Sequence, residues 1–355
     1  MNIRILNIFY MLSYSWNSLD ENNITRVDKS DYNSLIDLFA SVLVNGCKYL
    51  IKKGIDRGYN NLTLEYPGVK GKLDINDTLK KSLLSRGKTV CIIDELEFDI
   101  IHNQIIKSTL YNLLRNSNLN SNLKNEVKIV YNNFRKISTI PLDSSCFKKV
   151  QLHRNNKHYD LLIKICKYIF EESTIDESNG DFIFKDFTRD DRKMARLFES
   201  FLFNFYSKEL FSCEVLRETI KWDLLPINNS NESFLPKMFT DISIHTSQNQ
   251  KIIIDAKYYS KTLVTHYDNV SFHSANLYQL FSYLMNQRHK RNGENCIGVL
   301  IYPLVDKELH EEYKHGNHMI IVKTIDLDMP WKNIKKELLN LIKNIKTVHN
   351  NVYSA

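Results

Sequence analysis

From Arg192 onward, helical and strand periodicities follow one another in an order that few architectures accommodate. Apolar residues at helical spacing mark "RKMARLFESFLFNFYSKEL". The β-patterned segments "ETIKWDLL", "KMFTDISIHT" and "KIIIDAKYY" come next, followed by a helix in "NLYQLFSYLMNQR". The strands "CIGVLIYP" and "HMIIVKTIDL" and a helix in "WKNIKKELLNLIKNI" complete the series. Helices interleaved with strands in this way predict an α/β layer arrangement around a mixed sheet.

Two of these strands carry charge where more aliphatics are expected: Asp241 in one, Asp255 and Lys257 in the other. A carboxylate in a half-buried strand is costly unless it is paired or bound to a metal. Successive strand residues point to opposite faces, so Asp255 and Lys257 share one side, about 6.6 Å apart at about 3.3 Å per residue. Ile252, Ile254 and Ala256 take the other side, and in the preceding strand Ile242 and Ile244 lie opposite Asp241, Ser243 and His245. If the strands pair as a hairpin with both aliphatic sets on one face, Asp241 falls opposite Asp255 or Lys257. That parity requires an odd number of connecting residues around "SQNQ", or a bulge.

Two carboxylates brought together repel unless a cation or a shared proton relieves them, and hard oxygen ligands suit Mg²⁺, with Mn²⁺ as a substitute. Such a metal acidifies a bound water and neutralises charge on a phosphoryl oxygen, while Lys257 positions the nucleophile or stabilises the transition state. An isolated D-x-K more often lies at a solvated edge or in a surface ion pair; Asp241 within the same apolar hairpin favours a site. Gln279 and Tyr283 in "NLYQLFSYL" form an i, i+4 pair on one helical face, although Tyr283 also suits an amphipathic core. Glu199, a polar residue in the apolar "LFESFLFNFY", is either a further metal oxygen or a partly exposed helix residue.

In the first half of the chain, "NIRILNIFYMLSYSW" places Ile8, Leu12 and Trp16 on one helical face, and a second helix runs from Ser34 to Lys53 with Gly54 terminating it. Residues 60–98 alternate like strands, with a Pro67-Gly68 turn between them, and predict a small β-rich insertion. Helical periodicity returns in "IIHNQIIKSTLYNLLRN", "NLKNEVKIVYNNFRKI" and "HYDLLIKICKYIFEES", and "EESTIDESNGD" suits a surface loop. At 355 residues there is room for two domains, here placed at 1–155 and 156–355.

Composition narrows the function classes. The 43% hydrophobic and 25% charged fractions are those of a soluble globular protein. No apolar stretch approaches the roughly 18 residues of a membrane span and no signal-peptide pattern opens the chain, so a cytoplasmic location is expected. The net charge of +7 permits an acidic partner such as nucleic acid without identifying one. Six cysteines without a C-x-x-C pair argue against zinc ribbons and iron–sulfur clusters. No G-x-x-x-x-G-K-[ST] is present, so the chain is expected to bind no nucleotide in the P-loop manner. In "HEEYKHGNH", His310 and His315 are five apart and turned by about 140° on a helix, which favours a solvated loop over a zinc site. "QRHKRNG" suits a helix-end solubility feature more than a phosphate contact.

The arrangement Glu199, Asp241, Asp255-Ala256-Lys257 and Gln279-x-x-x-Tyr283 resembles the PD-(D/E)xK nuclease core in the form with a trailing Q-x-x-x-Y motif. More narrowly, "IRILNIFYMLSYSW", "GVKGKLDI", "IIKSTL", "LPKMFTDISI", "IIIDAKYY", "NLYQLFSYL" and "GVLIYP" resemble the McrC family over nearly the whole chain and in the same order. One departure is Thr240, which precedes Asp241 where the superfamily name has proline.

The resemblance implies a restriction-endonuclease-like C-terminal domain, with Asp241, Asp255 and Glu199 as metal ligands and Lys257 and Gln279 as catalytic residues. It implies a Mg²⁺-dependent deoxyribonuclease that works with an McrB-like AAA+ GTPase hexamer, stimulates its GTPase and cuts double-stranded DNA carrying 5-methylcytosine. The N-terminal half would then be the motor-docking piece, with Lys70 and Lys72 of "GVKGKLDI" touching the motor or forming an ordinary basic hairpin loop. A rival from another class is a non-catalytic adaptor that activates an AAA+ NTPase through a relic nuclease fold; a retained cluster of like charge weighs against it.

Overall fold

The structure, a computed structural model, describes residues 3–18, 32, 34–175, 182–228, 230–259, 261–266, 269–287 and 293–352. The basic residues Arg288, Lys290 and Arg291, and residues 176–181 of the expected surface loop, lie outside them. The chain divides into two compact units, one made of Met1–Asp20 with Phe187–Ala355 and the other of Glu21–Asp186. This corrects the boundary expected near residue 155, which falls within the second unit, and it moves the first helix to the C-terminal unit. The reason lies in side chains that local periodicity cannot assign. Helix Ile5–Ser15 is buried along Asn7–Tyr14, and Tyr14 packs on Phe201 and Phe205, with its hydroxyl donating to Glu209 Oε1 at 2.6 Å. Asn7 Nδ2 donates to the carbonyls of Leu327 and Met329, so the amide nitrogen of a polar residue on an apolar helix is satisfied by the last loop of the same unit.

This unit is built on a six-stranded mixed sheet. Its order is His310–His315, His318–Ile325, Ile297–Pro303, Lys251–Ala256, Ile242–Thr246 and Cys213–Leu216. The three strands beginning at His318, Ile297 and Lys251 run parallel, and the outer ones pair antiparallel. Buried parallel strands need aliphatics on both faces, which is why "IGVLIYP" is buried at every position. Helix Ser274–Met285 covers one face, where Ile253, Leu280, Tyr283, Leu284, Leu300 and Val322 share a core. Helix Asp191–Glu209, capped by the Asp190 side chain, lies on the other, and Phe198 packs against Tyr258 there.

Gly298 sets how closely the covering helix approaches. A Cβ at this position would lie 2.9 Å from Leu280 Cγ and 3.0 Å from both Leu280 methyls. Gly298→Val is therefore expected to cost about 1–3 kcal/mol and to displace the helix that carries Gln279 and Tyr283. Thermal denaturation tests this: the melting temperature should fall.

Three further expectations are corrected. "HEEYKHGNH" is an exposed edge strand, His310–His315, turning into the next strand; charged side chains suit a sheet edge. "ETIKWDLL" is strand only over Thr219–Ile220. Ser173–Ile175, expected as loop, pairs with Phe182–Phe184.

The second unit packs helices Leu35–Lys53, Ile101–Leu114, Ser121–Asn133 and Asp160–Glu171. Ser34 caps the first by accepting from the Asp37 amide, and Gly54 ends it at a φ of 107°. The β-rich insertion is a three-stranded antiparallel sheet in which Lys88–Glu97 lies between Gly58–Pro67 and Lys72–Asp74. The strands flanking the Pro67-Gly68 turn are thus not neighbours, and a short helix, Ile75–Lys80, capped by Asp74, interrupts the expected strands. Lys70 and Lys72 are exposed on either side of Gly71, whose φ of 73° and close approach to the Ile92 carbonyl admit no side chain. Among the described residues of the chain, no helix is long and apolar enough to cross a membrane.

Candidate active site

The site forms where the Lys251–Ala256 strand ends. Its antiparallel partner aligns Ile252 with Ile244 and Ile254 with Ile242, so continuing the register sets Asp241 opposite Asp255. Thr246 and Gln250 exchange hydrogen bonds around the three-residue loop 247–249, with Asn249 at a φ of 58°. This is the odd-numbered connection that the alternation required.

The expected single strand "KMFTDISIHT" is broken at the functional residue. Met238–Phe239 pairs with Thr219–Ile220, and Ile242 starts a separate strand. At the break the Thr240 hydroxyl accepts from the Glu218 amide at 2.9 Å and lies 3.0 Å from Ser243 Oγ, while the Thr240 amide donates to the Glu218 carbonyl. The Asp241 carboxylate then accepts from the Ala256 amide at 2.9 Å, which fixes it beside Asp255.

Asp255 is fully buried. It does not lie on a polar side of the hairpin: it faces the core between sheet and helix. Neither of its oxygens accepts an aligned hydrogen bond, and Lys257 Nζ lies 2.9 Å from Oδ2. Burial pushes its carboxyl up to about 7, with Lys257 pulling it down and the neighbouring Asp241 adding to the rise. Burial also works against the Lys257 ammonium, but Asp255 and Asp241 outweigh it and hold that amine above its ordinary range.

Lys257 is oriented by a short chain. Its Nζ donates to Gln279 Oε1 at 3.1 Å, Gln279 Nε2 donates to the Tyr283 hydroxyl at 2.6 Å, and that hydroxyl donates to the Phe239 carbonyl at 2.7 Å. The i, i+4 pair therefore links the covering helix to the strand just before Asp241. Tyr283→Phe removes the last two links and is expected to cost about 1 kcal/mol in stability, read by thermal melting.

Of the sequence-expected residues, Asp241, Asp255, Lys257, Gln279 and Tyr283 come together. Glu199 stands nearby with its carboxylate turned to Arg217, Oε1 lying 2.9 Å from Nη2. Burial raises the Glu199 carboxyl, Asp241 raises it further, and Arg217 opposes both. Among the described residues no three His, Cys, Asp or Glu side chains converge closely enough to enclose a metal. The Asp241–Asp255 pair nevertheless suits a divalent ion: two hard oxygen donors face one another, and Asp255 Oδ1 is buried without a hydrogen-bond partner. Lys70 and Lys72 belong to the other unit.

Sequence reasoning missed Arg217 and a buried polar cluster beneath the site. Lys251, 1% exposed, pairs with Glu218 Oε2 at 2.6 Å and donates to Gln287 at 2.7 Å, while His245 Nε2 lies 3.2 Å from Glu218 Oε1. Burial pushes Glu218 up, but hydrogen bonds from Lys251, Ser243 and His245 outweigh it and hold the carboxyl below its ordinary range. Parity contained that signal: Lys251 shares the inward side of its strand with Ile253 and Asp255, so its amine had to find a partner. Arg217 had no such signal, since it sits between two short strands.

Residues 5–303 match the family model of the McrBC 5-methylcytosine restriction system component. The chain is 36% identical over 339 residues to the type IV methyl-directed restriction enzyme EcoKMcrBC of Escherichia coli K12, covering 96% of this chain and 97% of that protein. In structure it resembles a chain from a half-complex of Thermococcus gammatolerans McrB AAA+ hexamers with bound McrC, with a TM-score of 0.63 and 18% identity over 96% of this chain and 76% of that one. A fold with two facing aspartates at the end of a central strand, and a family match over most of the chain, lead to one conclusion: the chain belongs to the McrBC 5-methylcytosine restriction system component family.

Proposed function

We propose that this chain is the DNA-cutting subunit of a modification-dependent restriction complex, hydrolysing phosphodiesters with a divalent metal while an AAA+ GTPase drives and targets it. The reading is carried by Asp255, a fully buried carboxylate without aligned donors. A buried charge of this kind is a liability in a fold unless something binds it, and here one ammonium, Lys257, serves two carboxylates.

Asp241 and Asp255 would hold Mg²⁺ or Mn²⁺. Such an ion, when bound, polarises the phosphodiester and acidifies water. The residues of the chain supply the rest. Asp241 is held in place through the Ala256 amide, and Asp255 gives up its proton near neutral pH. Lys257 stays charged, with Gln279 and Tyr283 aiming its ammonium at the charge that develops as water adds to phosphorus and one P–O ester bond breaks.

Docking to the motor fits the second unit, whose β-rich insertion exposes Tyr59, Val69, Ile75, Leu79 and Leu84 beside Lys70 and Lys72. Apolar exposure on this scale is characteristic of contact surfaces. The similar Thermococcus gammatolerans structure, in which McrB AAA+ hexamers have McrC bound, supports the same assignment. The test combines the chain with its AAA+ partner, GTP, Mg²⁺ and DNA with or without 5-methylcytosine. Cutting should require all of them; GTPase stimulation without cutting would return the chain to the adaptor reading.

A further inference from the structure

Glu199 and Phe203 lie four residues apart on helix Asp191–Glu209, so they share one face. Arg217 engages both: its Nη2 is 2.9 Å from Glu199 Oε1, and its guanidinium carbon is 4.9 Å from the Phe203 ring centre. The backbone beside Arg217 is rigidly anchored, because the adjoining Glu218 exchanges bonds with Thr240 and its side chain is held by Lys251 and His245. The Arg217 side chain itself is 48% exposed. Its root is fixed, its tip is half exposed, and the Phe203 ring offers it a contact that needs no carboxylate.

Burial and the charge of Asp241 both raise the Glu199 carboxyl, and the cations Arg217 and Lys257 oppose them. Of these two cations, Arg217 is the one in direct contact with the Glu199 carboxylate.

We propose that Arg217 is a displaceable counter-ion of Glu199: it occupies the carboxylate until a divalent metal settles on Asp241 and Asp255, and then yields Glu199 to the metal. Arg217 is thus a positioning residue acting through Glu199, and this rests on the metal-dependent reading above. The exchange makes metal loading compete with an ion pair. The freed guanidinium, whose planar fork matches a phosphate, becomes available when DNA is present. Anything that draws Arg217 away, a DNA phosphate included, must then tighten metal binding by linkage.

The sign of this effect separates it from a supporting role. Mg²⁺ and Mn²⁺ binding to the full chain, measured by calorimetry, should tighten by about threefold to fivefold in Arg217→Gln, the scale of a partly exposed ion pair. Arg217→Met, which keeps the apolar contact with Phe203, should do the same. Glu199→Gln should weaken binding, and adding Arg217→Gln to it should change nothing further, since the competition runs through Glu199. Unchanged or weaker binding in both Arg217 variants overturns the proposal. So does tightening that persists in the Glu199→Gln background, because that would be a general field effect. Asp255→Asn serves as the control. If metal binding is undetectable in the wild type, or is unaffected by Asp255→Asn, the metal reading itself has failed and the counter-ion role fails with it. If Asp255→Asn abolishes binding while Arg217→Gln leaves it unaltered, only the counter-ion role is lost.

Discussion

Asp255→Asn should abolish DNA cleavage and at the same time raise the melting temperature of the metal-free chain at pH 8. The loss of cutting, on the order of 10³-fold or more, follows from removing a proposed metal oxygen from the reacting centre. The gain in stability has a separate cause. The fold must keep a fully buried carboxylate ionised at pH 8 with little hydrogen bonding, and an amide of the same shape carries no such penalty. The gain is roughly 2 kcal/mol, or about 4–8 °C for a unit of this size.

The pH dependence fixes the sign. The Asp255 carboxyl is raised from 3.8 to about 7 in the fold, so below the lower value it is protonated in both folded and unfolded chains and imposes no penalty. Stability from this group is then lost as pH rises towards 7. The advantage of the variant should open across that window and level off above it. Adding Mg²⁺ should close the gap by stabilising the wild type alone. A variant that melts at the wild-type temperature at both pH 4 and pH 8 would remove the case for a strained carboxylate.

Lys257→Ala should lower the cleavage rate by about 10²–10³-fold, the scale of losing one preorganised charged donor. Its second effect is on the proton inventory. Lys257 is the group that pulls Asp255 down against its burial, so without it the Asp255 carboxyl rises further. Metal binding, which requires the ionised form, should shift to higher pH, and titration calorimetry in two buffers would read the displacement as extra protons released. Raising the pH should restore metal binding to the variant without restoring the rate. Recovery of both would reduce Lys257 to a tuning role.

Much of this site was legible in the sequence because strand parity is a strong constraint. The positions of Ile242, Ile244, Ile252 and Ile254 set Asp241 opposite Asp255 or Lys257, and the observed register, closed by a loop with Asn249 in the left-handed region, selects Asp255. The i, i+4 spacing of Gln279 and Tyr283 likewise anticipated a shared helix face. The depth of Asp255 was less accessible: alternation shows which side a residue faces, not whether a helix covers that side. Thr240 showed only as a departure from proline, whereas its hydroxyl and amide form the clamp on Glu218 that breaks the strand before Asp241. Arg217 meets Glu199 from another element, and no local pattern encodes such a meeting.

The membership of helix Ile5–Ser15 bears on how the polypeptide is made. It leaves the ribosome well before Phe201, Phe205 and Trp331, the aromatic residues that pack on its Tyr14. Residues 21–186 have their own core and can mature during that interval, while an oily segment waits without its neighbours. This is the period of greatest danger from aggregation or premature proteolysis. Nascent chains stalled before Trp331 should therefore hold a folded central body and a first helix still open to protease.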